Sequence, residues 1–443
     1  MINNVRIFKK FIDHEDHNFR IEHKYHLEVG TLKPLLMNEQ TISNKQADST
    51  SQFSDKPVIL IFIGNYLPGY KAGGILRTTT NRVDFLCDEF EFWIVTRDRD
   101  LGDDKPYPDI KFNQWQKVGN AMVYYLPPQS CTVKDILHLI ERTPHHVLLL
   151  NSFFDTFTIK VLVNRKLHRA IFKSVIVAPC GEFAWASLKQ KYLKKFVFIQ
   201  VARLFRLYKK VTWQASSEFE AQDIINVMKI KPDAIHVAIN LPNKDTSYIA
   251  ANVTARPSHG CEGLKIVFLS RISREKNLDY ALRVLSKVNA MVWFDIYGPA
   301  ENVTYWKECQ ALISQLPANV IVNYLGSANP NQVLNIFSSY DIFLFPTGGE
   351  NYGHVIAESL IAGTRVLISN KTPWRNLQTD GLGWDENLDQ MDSFVAIIQK
   401  LALESVDERM KKRVLVKANI MARLLDPTVL EANRQLFIRQ LLR

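Results

Sequence analysis

The chain has 443 residues, 55 Lys or Arg against 45 Asp or Glu for a formal charge of +10, and 47% hydrophobic content. With 23% charged and 11% aromatic residues there is enough apolar surface to offset the entropy of ordering the backbone, which excludes a low-complexity disordered chain. No collagen, coiled-coil or solenoid period is present, the length favours two domains, and the longest apolar runs fall far short of the roughly 20 residues that cross a bilayer.

Residues 1–55 are polar, without a sustained period, and read as an irregular N-terminal extension. The stretch HEDHNFRIEHKYH replaces the basic-then-apolar pattern of a secretory leader. Its His14, His17, His23 and His26 fit a solvated charged surface better than a metal site. Five cysteines, widely spaced and with no C-x-x-C, point to neither a disulfide framework nor zinc, so a cytoplasmic location is expected.

The apolar run Val58 to Ile63 predicts a fully buried strand and opens a domain over 56–245. Further strands are expected at Glu91 to Thr96, Ala121 to Tyr125, Val147 to Asn151, Ser174 to Ala178 and Val211 to Ala215. Continuous apolar strands alternating with helical stretches imply a parallel sheet covered on both faces. Residues 246–263 lack periodicity and read as a linker. A second domain, 264–425, brings strands at Lys265 to Ser270, Val292 to Tyr297, Val320 to Leu325, Ile342 to Phe345 and Arg365 to Ser369. A final helical stretch, 426–443, is expected to pack back on the first domain. Leu278, Ala281, Leu282, Leu285 and Val288 recur at helical spacing and belong to the core.

In open α/β sheets ligands gather where strands end, so the residues after each strand carry the chemistry. After the 265–270 strand, Arg271 and Lys276 place two cations at one turn, an arrangement that suits a diphosphate as well as a solvated loop. After the 342–345 strand, Pro346-Thr-Gly-Gly349-Glu350-Asn351-Tyr352-Gly353-His354 leads into a helical stretch that carries Glu358 about one turn in and stops at Gly363. Glycines expose backbone N–H groups to an anion, the helix N-terminus adds positive potential, and the two carboxylates can accept from sugar or ribose hydroxyls. A nucleotide sugar contains all of these groups. A two-carboxylate glycosidase fits less well, because it needs its acids on opposite sides of a glycosidic bond.

Glu350 and Glu358 form an E-x7-E pattern. Together with the Arg271–Lys276 turn and Thr372-Pro-Trp-Arg-Asn-Leu377, in that order, it resembles the retaining glycosyltransferases of family 4, also called group 1, over roughly residues 56 to 440. The resemblance implies a GT-B fold, two Rossmann-like doubly wound domains facing a cleft. The first would serve the acceptor and the second the donor nucleotide sugar, with neither metal nor cofactor. It implies that Arg271 and Lys276 neutralise the diphosphate, that Glu350 and the Asn351–Gly353 backbone hold the sugar, and that Glu358 binds ribose. His354 opens the helix, either near the donor or simply packed. Gly73 and Gly74 resemble the family's glycine loop, and a plain strand-to-helix turn reads equally well. Asn151, Cys180 and Glu182 follow strands bordering the cleft and are acceptor-side candidates. Asn151, Cys180 and Gln214 depart from the usual family pattern, so a catalytically silent nucleotide-sugar or glycan-binding protein is the alternative.

From Lys189 to Lys210 there are eight basic residues, several aromatics and no acid. An anionic membrane face and an ordinary solvated basic helix both fit, whereas no nucleic-acid module accompanies the patch. The family's role implies a lipid-linked glycan acceptor in surface polysaccharide assembly, with a peripheral position on the cytoplasmic membrane.

Overall fold

The computed structural model describes residues 56–168, 172, 174–189, 191–244 and 263–443. The expected extension over 1–55, with its four histidines, and the expected linker apart from Gly263 lie outside the described residues.

The first sheet has strands β1 (Val58–Phe62), β2 (Glu91–Arg97), β3 (Trp115–Val118), β4 (Ala121–Leu126), β5 (Val147–Asn151), β6 (Val175–Ala178), β7 (Thr212–Ala215) and β8 (Ile235–Val237). Their order is β3-β4-β2-β1-β5-β6-β7-β8, parallel except where β3 runs against β4. The second sheet has β9 (Leu264–Leu269), β10 (Val292–Tyr297), β11 (Val320–Tyr324), β12 (Ile342–Phe345), β13 (Arg365–Ser369) and β14 (Gly383–Glu386). Its order, β11-β10-β9-β12-β13-β14, is parallel throughout and is that of a doubly wound nucleotide-binding fold.

The unbroken apolar runs explain the two-sided covering. In β1, Ile59 and Ile61 pack into one hydrophobic cluster while Leu60 and Phe62 pack into another across the sheet. Strand side chains alternate between faces, so a strand buried on both sides must be apolar at every position. The edge strands β3, β8 and β14 were not expected. Trp-Gln-Lys-Val, Ile-His-Val and Gly-Trp-Asp-Glu are short and only partly buried, and so carry no apolar run. β3 joins β4 through the two-residue turn Gly119-Asn120, a hairpin signal in the sequence.

The last helix packs back on the first sheet. The Pro427–Leu441 helix, capped by Asp426, inserts Leu436 and Phe437 into the first domain's core, with Phe437 ring centroids 5.4 Å from Phe90 and 6.0 Å from Phe92. Arg82 Nε donates to Asn433 Oδ1 at 3.0 Å, and Asn433 Nδ2 donates to Ile239 O at 2.8 Å. Among the described residues no helix is long and apolar enough to cross a membrane. Because the buried Phe437 ties this last helix to β2, Phe437→Ala is expected to lower the unfolding free energy by about 3–5 kcal/mol, read from the denaturant midpoint.

Candidate active site

Strand order reverses between β1 and β5 in one sheet and between β9 and β12 in the other, and loops leaving such a point diverge into a crevice. A cavity of about 540 Å³ lies there. It is lined by residues from Lys71 to Thr78 after β1, by Cys180 and Gly181 after β6, by Arg271 and Lys276 after β9, and by residues from Gly349 to Glu358 after β12.

Segments distant in sequence, after β9 and after β13, pin the loop after β12 before it reaches the cavity. Asn277 Nδ2 donates to Pro346 O (2.9 Å), Gly348 N to Glu275 O (2.6 Å) and Glu350 N to Lys371 O (3.2 Å). Trp374 Nε1 donates to Tyr352 O at 2.6 Å, so the indole braces the loop from behind and is absent from the cavity wall. Arg375 packs on the Phe219 ring at 4.9 Å, an interdomain contact outside the cavity. Gly353 then caps the His354–Ile361 helix, which directs its N-terminus toward the crevice.

Lys276 Nζ donates to Glu350 Oε1 at 2.6 Å, and both side chains are largely buried on the cavity wall. Glu358 is engaged from the opposite domain, where Arg77 Nη1 donates to its Oε1. Burial raises the Glu358 carboxyl above the ordinary carboxylate range, and Arg77 opposes that rise. One turn earlier His354 Nε2 meets Thr78 Oγ1 at 3.1 Å. Burial, with Arg77 adding to it, drives the His354 imidazole down to about 3, while a backbone hydrogen bond with Gly74 works the other way. His354 is therefore a neutral imidazole wedged between the domains.

The first domain supplies a shaped wall. Asp100 Oδ2 accepts from Tyr70 N (2.8 Å) and Lys71 N (3.1 Å), which holds the loop leading to Gly73. Gly73 has φ +63 and ψ −123, a conformation that disfavours any side chain, and it starts the Gly74–Leu86 helix bearing Arg77 and Thr78. Gly181, at φ +82, faces Asn351 so closely that an added Cβ would lie 2.7 Å from the Asn351 Cβ. Beside it Glu220 is buried, accepting from Gly181 N (2.6 Å) and Ser216 N (2.8 Å), and the Ser216 hydroxyl lies 2.9 Å from the Asn351 carboxamide oxygen. Burial raises the Glu220 carboxyl despite these hydrogen bonds.

Of the residues singled out in the sequence, the cavity wall brings together Arg271, Lys276 and Glu350, then Gly73, Gly74 and Gly349, then Asn351, Tyr352, Gly353, His354 and Glu358, and finally Cys180 and Gln214. Arg271 is exposed and faces Glu301 at 3.5 Å. Asn151 and Glu182 do not reach the wall. Glu182 turns inward, accepting from Ser152 Oγ (2.6 Å), Phe153 N (2.5 Å) and Phe154 N (3.2 Å), and so ties the end of β5 to that of β6. Asn151 is buried behind Cys180, whose Sγ lies 3.9 Å from its Oδ1. Burial raises the Cys180 thiol well above its ordinary range, so it is no thiolate.

Arg77, Thr78, Ser216 and Glu220 are cavity or supporting residues that the sequence did not single out. Ser217 and Glu220 do form an S-x-x-E capping pattern, and Ser217 Oγ accepts from Glu220 N at the helix start. The Glu220 carboxylate, however, goes to Gly181 and Ser216, a diversion that only the fold discloses. Among the described residues no group of His, Cys, Asp or Glu is arranged to hold a metal.

Known proteins share this two-domain fold. Residues 255–414 match the model for glycosyl transferases of group 1. A protein encoded in the cps region of Klebsiella pneumoniae, itself uncharacterised, is 21% identical over 278 residues, 62% of this chain and 74% of that one. A glycosyltransferase from Rickettsia africae superposes with a TM-score of 0.63 at 14% identity, covering 88% of this chain and 99% of that structure. HepE of Anabaena, solved with UDP and glucose, gives 0.57 at 12% identity over 86% of this chain and 99% of its own. The match to the group 1 glycosyltransferases thus covers the second domain, and the chain as a whole has the GT-B fold.

The neutral His354 has a pH signature. Its folded pKa lies below the unfolded value of 6.5, so protons bind the unfolded chain first, and its contribution is complete above 6.5 and fades as pH falls toward about 3. Melting temperatures of the wild type and His354→Gln measured across this window are expected to converge as pH drops, the wild type losing stability faster by up to about 1.4 kcal/mol per pH unit.

Proposed function

We propose that this chain transfers a sugar, with retention of configuration and without a metal ion, from a nucleotide-diphosphate donor to a glycan acceptor, lipid-linked, in surface polysaccharide assembly. The observation that carries the reading is the convergence of Lys276, Glu350 and Glu358 on one cavity between facing domains. At about 540 Å³ the space is of the size that holds a small-molecule ligand. UDP and glucose in HepE and the cps-region origin of the Klebsiella relative support the donor and pathway classes.

In this reading Lys276 and Arg271 meet the diphosphate, Glu350 and the backbone of Asn351–Gly353 orient the sugar, and Glu358 accepts from the ribose hydroxyls. The bond from the anomeric carbon to the diphosphate oxygen breaks on the face where the acceptor oxygen bonds, and the departing phosphate oxygen takes the acceptor's proton. Negative charge grows on the leaving group, so fixed cations and the His354–Ile361 helix N-terminus act where charge develops. Cys180, on the wall of the first domain, would face the acceptor.

Donor binding is tested by thermal shift with uridine and guanosine diphosphate sugars, since a ligand at a hundred times its dissociation constant adds about 2.7 kcal/mol. Glu358→Gln is expected to remove most of that shift. Lys276→Ala is expected to remain folded and lose roughly 10²–10³ in kcat. An unchanged kcat in folded Lys276→Ala contradicts the assignment. Donor binding without sugar release or transfer over a broad acceptor panel favours a silent binding protein instead.

A further inference from the structure

We infer that the Tyr192–Leu204 helix and the turn after it form a docking surface for an anionic lipid bilayer. Leu193, Val197, Val201 and Leu204 are spaced by four, four and three residues and so share one side of the helix. They are 72%, 52%, 44% and 77% exposed. Phe205, at 58%, extends the stripe. Lys166 Nζ donates to Phe205 O at 3.0 Å and lies 5.2 Å from its ring, and the next residue in the chain, Leu167, is exposed. The opposite side is anchored, for Ile199 and Ala202 are buried in the first domain's core. The helix therefore faces its apolar side outward by construction, not through fraying.

A solvated surface helix would carry polar residues on that side. Here the cations flank the stripe instead, with Lys189, Lys191, Lys194, Arg206, Lys209 and Lys210 exposed and no acid between positions 189 and 210. An apolar face sunk into the headgroup boundary with lysines around it satisfies both features at once. A second copy of the chain would bring a like-charged patch against this one, and a nucleic acid would meet leucines where it needs cations and stacking rings. Ala184 and Ser187, just ahead of the helix, line the cavity, so the docked surface lies beside the cavity wall. That a lipid-linked acceptor enters from there rests on the transferase reading, whereas the docking itself does not.

Flotation of the full chain with phosphatidylcholine vesicles, with and without phosphatidylglycerol, tests the inference in the absence of any donor. The chain is expected to float with the anionic vesicles, far less with the neutral ones, and less at high salt. Replacing Lys191, Lys194 and Lys209 together by Gln should lower partitioning about a hundredfold, at about fivefold per cation. Replacing Leu193, Leu204 and Phe205 together by Ser should abolish flotation even at low salt. Cooperative melting certifies that both variants fold. No flotation of the wild type with anionic vesicles overturns the proposal, as does flotation unaffected by either triple substitution. A lipid-free dimer abolished by the serine variant, or preferential binding of RNA, overturns it equally. Each of these outcomes leaves the transferase reading untouched.

Discussion

Glu358 sits on one domain, and its counter-charge, Arg77, sits on the other. The pair is partly withdrawn from water, and separating its members leaves each poorly compensated, so it constrains how far the two sheets can separate. The Thr78–His354 contact and the close approach of Gly181 to Asn351 lie within the same seam and reinforce it. The shape of the cavity follows from that seam, because its walls are the residues on either side of these three contacts.

In this state four charged groups of the cavity satisfy one another in two pairs. Lys276 holds Glu350, and Arg77 holds Glu358. On the proposed reading a donor offers phosphate to the lysine and hydroxyls to the carboxylates, so its binding is an exchange of partners and not the filling of a void. Net affinity is then a difference between two well-solvated or well-paired arrangements, which keeps it far below the sum of the contacts made. Arg77 must find a new acceptor in that exchange, and a phosphate oxygen is the acceptor its planar fork suits.

The backbone at the strand ends bears the strain of bringing so many groups together. Ser152 and Cys180, ending neighbouring strands, have φ of 72° and 55°, a left-handed conformation that non-glycine residues seldom hold. The inward-turned Glu182 accounts for the first of these, since its carboxylate gathers the Ser152 hydroxyl and the next two backbone N–H groups into one tight turn. Asn151, Ser152 and Glu182 therefore serve as scaffold for Cys180 and Gly181, one layer behind the cavity wall.

What could be read without coordinates was whatever depends on neighbours along the chain. Ile59 to Phe62 had to form a doubly buried strand because four consecutive apolar side chains leave no polar face. The 346–363 segment had to be a glycine turn running into a helix, because glycines and a periodic apolar stretch follow one another there. Arg271, Lys276, Glu350 and Glu358 could be placed at strand ends on the same grounds. The edge strands β8 and β14 were not legible, since their stability comes from a partner strand and not from their own composition, and β3 was signalled only by the Gly119-Asn120 turn that follows it. Pairings across hundreds of positions were equally out of reach. Nothing local distinguishes Arg77 from any helix-surface arginine, Glu220 from an ordinary capping residue, or Glu182 from a cleft carboxylate. Only the tertiary structure decided that the first neutralises Glu358, the second supports Gly181 opposite Asn351, and the third points into the protein, because a buried charge takes its role from whatever the fold sets within about 3 Å of it.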